Sequence, residues 1–206
     1  MTGLEELYFS SPTRTTDAGL EHLRGLTGLR VLSLSGALQI TDAGIAHLKA
    51  LTALRTLDLW GPQMTDAGLA HLIKDLAALQ ILRLSGTEIT DAGLAQLKSL
   101  TGLRELSLIG NKQITGAGLA HLKGLSGLDL RESRITDGDM EGLTNLTGLR
   151  TLGLQGTKIT DAALEHLKGL AGLRFLNLQN TQVTEAGVQQ LKQSLGTTTI
   201  RTDQAK

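Results

Sequence analysis

Two spacings alternate along this chain. In LRELSL, residues 103–108, Leu106 and Leu108 fall on one face of an extended strand, while Glu105 and Ser107 fall on the other. In TDAGLAQLKSL, residues 90–100, Leu94, Leu97 and Leu100 recur at three-residue steps, which puts them on one side of a short helix. The combination returns along the chain. Units with the L-x-x-L-x-L string open at Leu4, Leu29, Leu54, Leu79, Leu103, Leu149 and Leu173, and a shorter one opens at Leu128. The shared pattern, L-R-x-L-x-L-x-G-T-x-I-T-D-A-G-L-x-H-L-K-x-L-T-G, is 24 or 25 residues long.

Each unit therefore predicts a strand, a turn, a helix and a return. One such unit cannot bury its own leucines, but stacked copies bury them against one another. Thr90 or Asp91 supplies the helix N-cap, a side-chain oxygen accepting a backbone N–H. A glycine inside the helical segment is unexpected, since it costs about 1 kcal/mol relative to alanine. Gly93 nevertheless has counterparts at Gly19, Gly44, Gly68, Gly118 and Gly187, with Ala163 and Asp139 as the departures. The expectation is that the first helical turn lies against the adjacent coil, where side-chain bulk does not fit.

On these motifs, above all I-T-D-x-G-L before the helix, the chain resembles leucine-rich-repeat proteins of the kind shared by F-box-type and many bacterial repeat proteins. The resemblance runs from residue 4 to about residue 200. It implies an α/β fold: a ribonuclease-inhibitor-like horseshoe solenoid of about eight repeats, with a concave parallel sheet and convex helices. Residues 1–206 would form one such domain, with a strand stub and polar tail over 196–206. Recognition through the concave face is what the resemblance implies about function; the partner is not implied.

The repeat breaks in one place. GLSGLDLRES, residues 124–133, lacks three residues of the common pattern. Aligning Leu128 with Leu103 would bury Arg131 without a partner, which is prohibitive. Leu128 therefore aligns with Leu106, leaving a clipped strand start. The same unit has a weak helix, TDGDMEGLTNL, and gathers Asp129, Glu132, Asp137, Asp139 and Glu141 against Arg131 and Arg134. It reads as a trimmed repeat; a hinge or acidic contact patch is the alternative. D-G-D-M-E lacks the length and terminal bidentate Glu of a calcium loop. Before Leu4 no polar capping element is present, so the first unit is expected to fray, to rest on further residues, or to pair with another molecule.

Composition narrows the function. Lys plus Arg and Asp plus Glu number 20 each, so no global field attracts nucleic acid or an anionic membrane. No apolar run approaches the roughly 20 residues of a membrane span. Without cysteine there is no disulfide or thiolate chemistry, and a soluble cytoplasmic chain, whole or cut from a longer protein, is the expectation. The five histidines, His22, His47, His71, His121 and His166, repeat one helix position. Neighbouring helices lie about 8–10 Å apart, too far for such residues to share zinc at about 2.1 Å. Ser, His and Asp each sit in repeating structural slots. Thr87, Thr157, Thr181 and Ser133 fall where many leucine-rich repeats carry Asn, and their hydroxyls are expected to bond turn backbone. No enzyme, metal or cofactor is expected.

The outward strand positions are the ones the core does not dictate. They read Glu6, Tyr8, Ser10; Val31, Ser33, Ser35; Thr56, Asp58, Trp60; Ile81, Arg83, Ser85; Glu105, Ser107, Ile109; Asp129, Arg131; Thr151, Gly153, Gln155; Phe175, Asn177, Gln179. Three of the chain's four aromatics, Tyr8, Trp60 and Phe175, are among them. Trp and Arg are common hot-spot residues, and exposed isoleucines beside them suggest a covered patch. The candidate partner-binding residues are thus Tyr8, Asp58, Trp60, Ile81, Arg83, Ile109, Arg131 and Phe175. Arg30, Arg55, Arg104, Arg150 and Arg174 form a second, basic strip, either solvated or a dock for an acidic partner. The leading expectation is a non-catalytic scaffold holding a protein or peptide, monomeric or weakly self-associating through its first repeat. A recognition arm of a larger protein, such as a ubiquitin-ligase-like adaptor or a sensor module, and a self-assembling structural domain are the alternatives.

Overall fold

The computed structural model describes residues 3–9, 14–36 and 38–203. Among these, nine strands pair in parallel and in chain order within one open sheet. They are β1 (Glu6–Tyr8), β2 (Val31–Leu34), β3 (Thr56–Trp60), β4 (Ile81–Ser85), β5 (Glu105–Ser107), β6 (Gly127–Asp129), β7 (Thr151–Gly153), β8 (Phe175–Asn177) and β9 (Thr199–Arg201). Helices fill the intervals: α1 (Asp17–Glu21), α2 (Asp42–Ile45), α3 (Asp66–Asp75), α4 (Asp91–Gln96), α5 (Gly116–Leu119), α6 (Asp161–Leu164) and α7 (Glu185–Leu195), with a 3₁₀ helix over Asp137–Leu143 between β6 and β7. This is a leucine-rich-repeat solenoid, and the expected strand stub is β9, paired with β8.

Strand alternation sets the inside and outside. Leu57, Leu82, Leu106, Leu128 and Leu152 lie side by side in register and are almost wholly buried, so each leucine packs on its counterparts in the neighbouring coils. Helix leucines such as Leu94 close the other side of the same core. At the first repeat, Leu4 remains 40% exposed.

The short unit keeps its strand and loses part of its return. Leu128 pairs with Leu106 as expected, but Gly127 also pairs with Glu105, so β6 starts level with β5. The clipped strand start is therefore corrected. Elsewhere the return descends in three-residue steps, with Leu100 N–H donating to Leu97 and Leu103 N–H to Leu100. Three missing residues equal one such step, so the deletion preserves register. Leu125 fills the remaining leucine place and is buried.

The Thr-Asp pairs divide their work between two coils. Thr90 is the N-cap of α4, accepting from Ala92 N–H at 3.2 Å. Asp91 does not cap that helix. Its carboxylate reaches the next coil, accepting from Thr115 N–H at 2.8 Å and from the Thr115 hydroxyl at 2.5 Å. Asp17, Asp42, Asp66, Asp137 and Asp161 clasp Thr41, Thr65, Thr90, Thr160 and Thr184 in the same way. The capping role expected for either residue thus belongs to Thr alone.

The clasp explains the helical glycine. A Cβ on Gly93 would fall on the Asp66 carboxylate, and one on Gly68 would fall on that of Asp42. Bulk is excluded by a specific oxygen from the preceding coil. At one junction the two residue types are exchanged: Gly116 stands in the Asp position, and Asp139 stands in the Gly position. Asp139 then reaches backward, accepting from Gly116 N–H at 2.9 Å, Thr136 N–H at 2.9 Å and the Thr136 hydroxyl at 2.8 Å. Partial burial pushes its carboxyl upward, but these three hydrogen bonds outweigh that and hold its pKa below the ordinary value.

Candidate functional site

The outward strand residues line up in three rows across the sheet, because every strand pairs in the same register. One row carries Val31, Thr56, Ile81, Glu105, Gly127, Thr151 and Phe175. The middle row carries Ser33, Asp58, Arg83, Ser107, Asp129, Gly153, Asn177 and Arg201. In the third row Trp60 lies beside Ser85. Backbone bonds from Gly86 N–H to Ile109 and from Gly110 N–H to Arg131 extend that row past the strand ends.

An open trough of about 660 Å³ lies over this face. Of the eight predicted partner-binding residues, Asp58, Ile81, Arg83, Ile109, Arg131 and Phe175 line it. Tyr8 and Trp60 do not. Tyr8 is on β1, 62% exposed, its hydroxyl donating to Glu6 at 3.0 Å, which raises the phenol pKa. Trp60 leans along its row, where a Cβ on Gly86 would lie 2.8 Å from the indole Nε1. Its ring covers the turn after β4 and leaves the trough open. Ile81 sits in a different row from Trp60, as its strand position implies, and the trough is centred on β4–β8.

Apart from core leucines at its floor, such as Leu82 and Leu106, the trough is lined by two residues that sequence reasoning missed, Gly127 and Arg201. The period itself could have found Arg201, which is the counterpart of Asn177 one unit later. Its guanidinium lies 5.8 Å from the Phe175 ring centroid, a cation–π contact. Gly127 was hidden by starting its unit one residue late.

The charges of the trough are unevenly satisfied. Asp129 and Arg131 form a fork, with Arg131 Nε at 2.9 Å from both carboxylate oxygens and its terminal nitrogen 2.7 Å from one of them. This hydrogen bonding raises the Arg131 pKa. Gly153 leaves the fork its room, since a Cβ there would lie 2.7 Å from Asp129 Oδ1. Asp58 accepts the Ser33 hydroxyl at 3.2 Å. Half-buried Arg83 makes no hydrogen bond or ion pair among the described residues. Ser107 is 8% exposed, and among the described residues its Oγ is a buried side-chain polar atom without a hydrogen-bond partner.

The basic strip divides by its contacts. Arg104 donates to the backbone oxygens of Thr101 and Leu103, and Arg150 donates to that of Gly172. Arg30 pairs with Glu5 at 3.5 Å. These three serve the returns and the sheet margin, while Arg55 and Arg174 stand exposed beside them. The Thr87, Ser133, Thr157 and Thr181 hydroxyls bond turn carbonyls as expected, for example Thr157 to Leu154 at 2.7 Å. Buried Asn111, which sequence reasoning passed over, ties two coils by accepting from Thr87 N–H at 2.7 Å and donating to Leu84 at 2.8 Å. Among the described residues no cluster of three or more His, Asp or Glu is placed to hold a metal ion, and no helix is long and apolar enough to cross a membrane.

Residues 13–163 match the family model of the leucine-rich repeat region, and the chain belongs to that family. Comparison with curated proteins gives no significant match. Among solved structures it is similar to an internalin from Listeria monocytogenes, internalin F, at 23% identity and a TM-score of 0.60, covering 98% of this chain and 59% of that one. Internalin C2 from the same organism matches at 26% identity and a TM-score of 0.60, over 91% of this chain and 84% of that one. The plant peptide hormone receptor RGFR1, in complex with RGF2, matches at 17% identity and a TM-score of 0.55, over 88% and 29% of the two chains. This chain thus spans little more than half the length of internalin F.

Proposed function

We propose that this chain is a non-catalytic binding scaffold that holds a protein or peptide segment against the exposed face of its sheet. The carrying observation is the trough, whose walls come from side chains on seven consecutive strands that the leucine core leaves free to vary. Ile81, Ile109 and Phe175 supply apolar contact there, and Arg83, Arg131 and Arg201 supply directional donors. A peptide hormone receptor with the same fold offers a precedent at the level of fold. A cytoplasmic setting rests on the cysteine-free composition alone, and subcellular fractionation tests it.

The test is a selection of peptides from a random display library on the immobilised protein, followed by affinity measurement on variants. An Ile81→Ala, Ile109→Ala, Phe175→Ala triple variant and the trough-filling Thr151→Trp are each expected to weaken selected peptides by about tenfold or more. Trp60→Ala, outside the trough, should stay within about threefold. Equal binding by all four proteins would reject the trough as the recognition surface.

A further inference from the structure

Three carboxylates, Asp58, Glu105 and Asp129, line the trough. Asp58 accepts from Ser33. Both oxygens of Asp129 accept from Arg131. Glu105 leans over β6, with its Cγ 3.3 Å from where a Gly127 Cβ would lie. Between β4 and β5 two neighbouring groups lack partners among the described residues: the Arg83 guanidinium and, next to it in register, the buried Ser107 hydroxyl. Arginine is donor-only, so it cannot satisfy the Ser107 O–H.

We propose that the Arg83–Ser107 corner is a subsite for the carboxylate of an Asp or Glu side chain within an extended peptide; the proposal rests on the trough being the recognition surface. A carboxylate is acceptor-only with two oxygens, so one can meet the guanidinium and the other the hydroxyl. The corner lies inside the trough, which runs on past Asp58 in one direction and to Arg201 in the other. A chain bound there continues both ways, which selects an acidic side chain over a terminal carboxylate.

The test is an NMR titration of the isotope-labelled full chain with N-acetyl-glutamate methylamide, following the Arg83 Nε–H and Ser107 amide signals. N-acetyl-glutamine methylamide and inorganic phosphate are the comparisons. The glutamate compound should shift both signals saturably and the glutamine compound should not. Arg83→Gln should weaken the glutamate titration about tenfold or more. Ser107→Ala should weaken it too, yet raise the melting temperature of the free protein, because it removes an unpaired buried hydroxyl. A purely structural serine would lower both. Equal shifts with the glutamine compound, shifts spread over exposed Arg55 and Arg174, tighter binding of phosphate, or no shift at all would each overturn the subsite. If selected peptides still map to the trough in that case, the scaffold reading stands; if they do not, both fall.

Discussion

The exchanged pair Gly116 and Asp139 makes the strongest test of how the coils are joined. Asp139→Gly removes the acceptor of three hydrogen bonds, at 2.8 to 2.9 Å. A hydrogen bond to a charged group contributes about 1.5–3 kcal/mol, and water can replace the exposed Thr136 partners. The net cost should then be close to one full bond, about 2 kcal/mol. Gly116→Asp alone adds bulk where a Cβ would lie 2.5 Å from the Asp139 carbonyl oxygen and 2.8 Å from its Cα. Overpacking of that kind costs about 1–3 kcal/mol. Those contacts are with the backbone of residue 139, which Asp139→Gly leaves in place, so the double variant should lose about the sum of the two single losses, about 3–5 kcal/mol. Guanidinium unfolding of all four proteins, followed by circular dichroism, measures the cycle. A double variant more stable than that sum by over about 0.5 kcal/mol would refute the close backbone approach as the reason for glycine at position 116.

Two further outcomes are expected. The Asp139 pKa is depressed in the folded chain, so its stabilisation is fully present above the unfolded value of about 3.9 and is lost as pH falls through the lower folded value. The stability gap between wild type and Asp139→Gly should therefore close on acidification below about pH 4; a widening gap contradicts the assignment. Glu132 holds a φ of 56°, in the turn position that Gly110 and Gly156 fill elsewhere. Glu132→Gly should stabilise by about 0.5–1 kcal/mol, the relief of left-handed strain less the added chain entropy, and a lowered unfolding midpoint would count against it.

The strand rows and the leucine core were legible in the sequence because period-2 alternation leaves one arrangement that buries Leu106 and Leu128 without burying Arg131. The position of the three-residue gap was not, since the return repeats every three residues and the missing step can be slid along it without changing the pattern. The Thr-Asp pair looked like a cap because both residues precede a helix; only the superposition of coils shows the carboxylate crossing to the next Thr. Even so, the coincidence of Gly116 and Asp139 as paired exceptions was written in the chain. Trp60 was put on the correct face, but strand alternation does not fix where along the row an indole leans.

The reversed clasp also bears on how such an array can grow or shrink. Wherever Asp precedes Gly, a unit can be duplicated or lost and the new neighbours still fit, as at the seam between Asp66 and Thr90. A recombination point falling between residues 116 and 139 would set two carboxylates face to face or leave a gap with none. The fifth and sixth units are thus bound to be inherited together, a fixed block in a lineage otherwise free to vary its count.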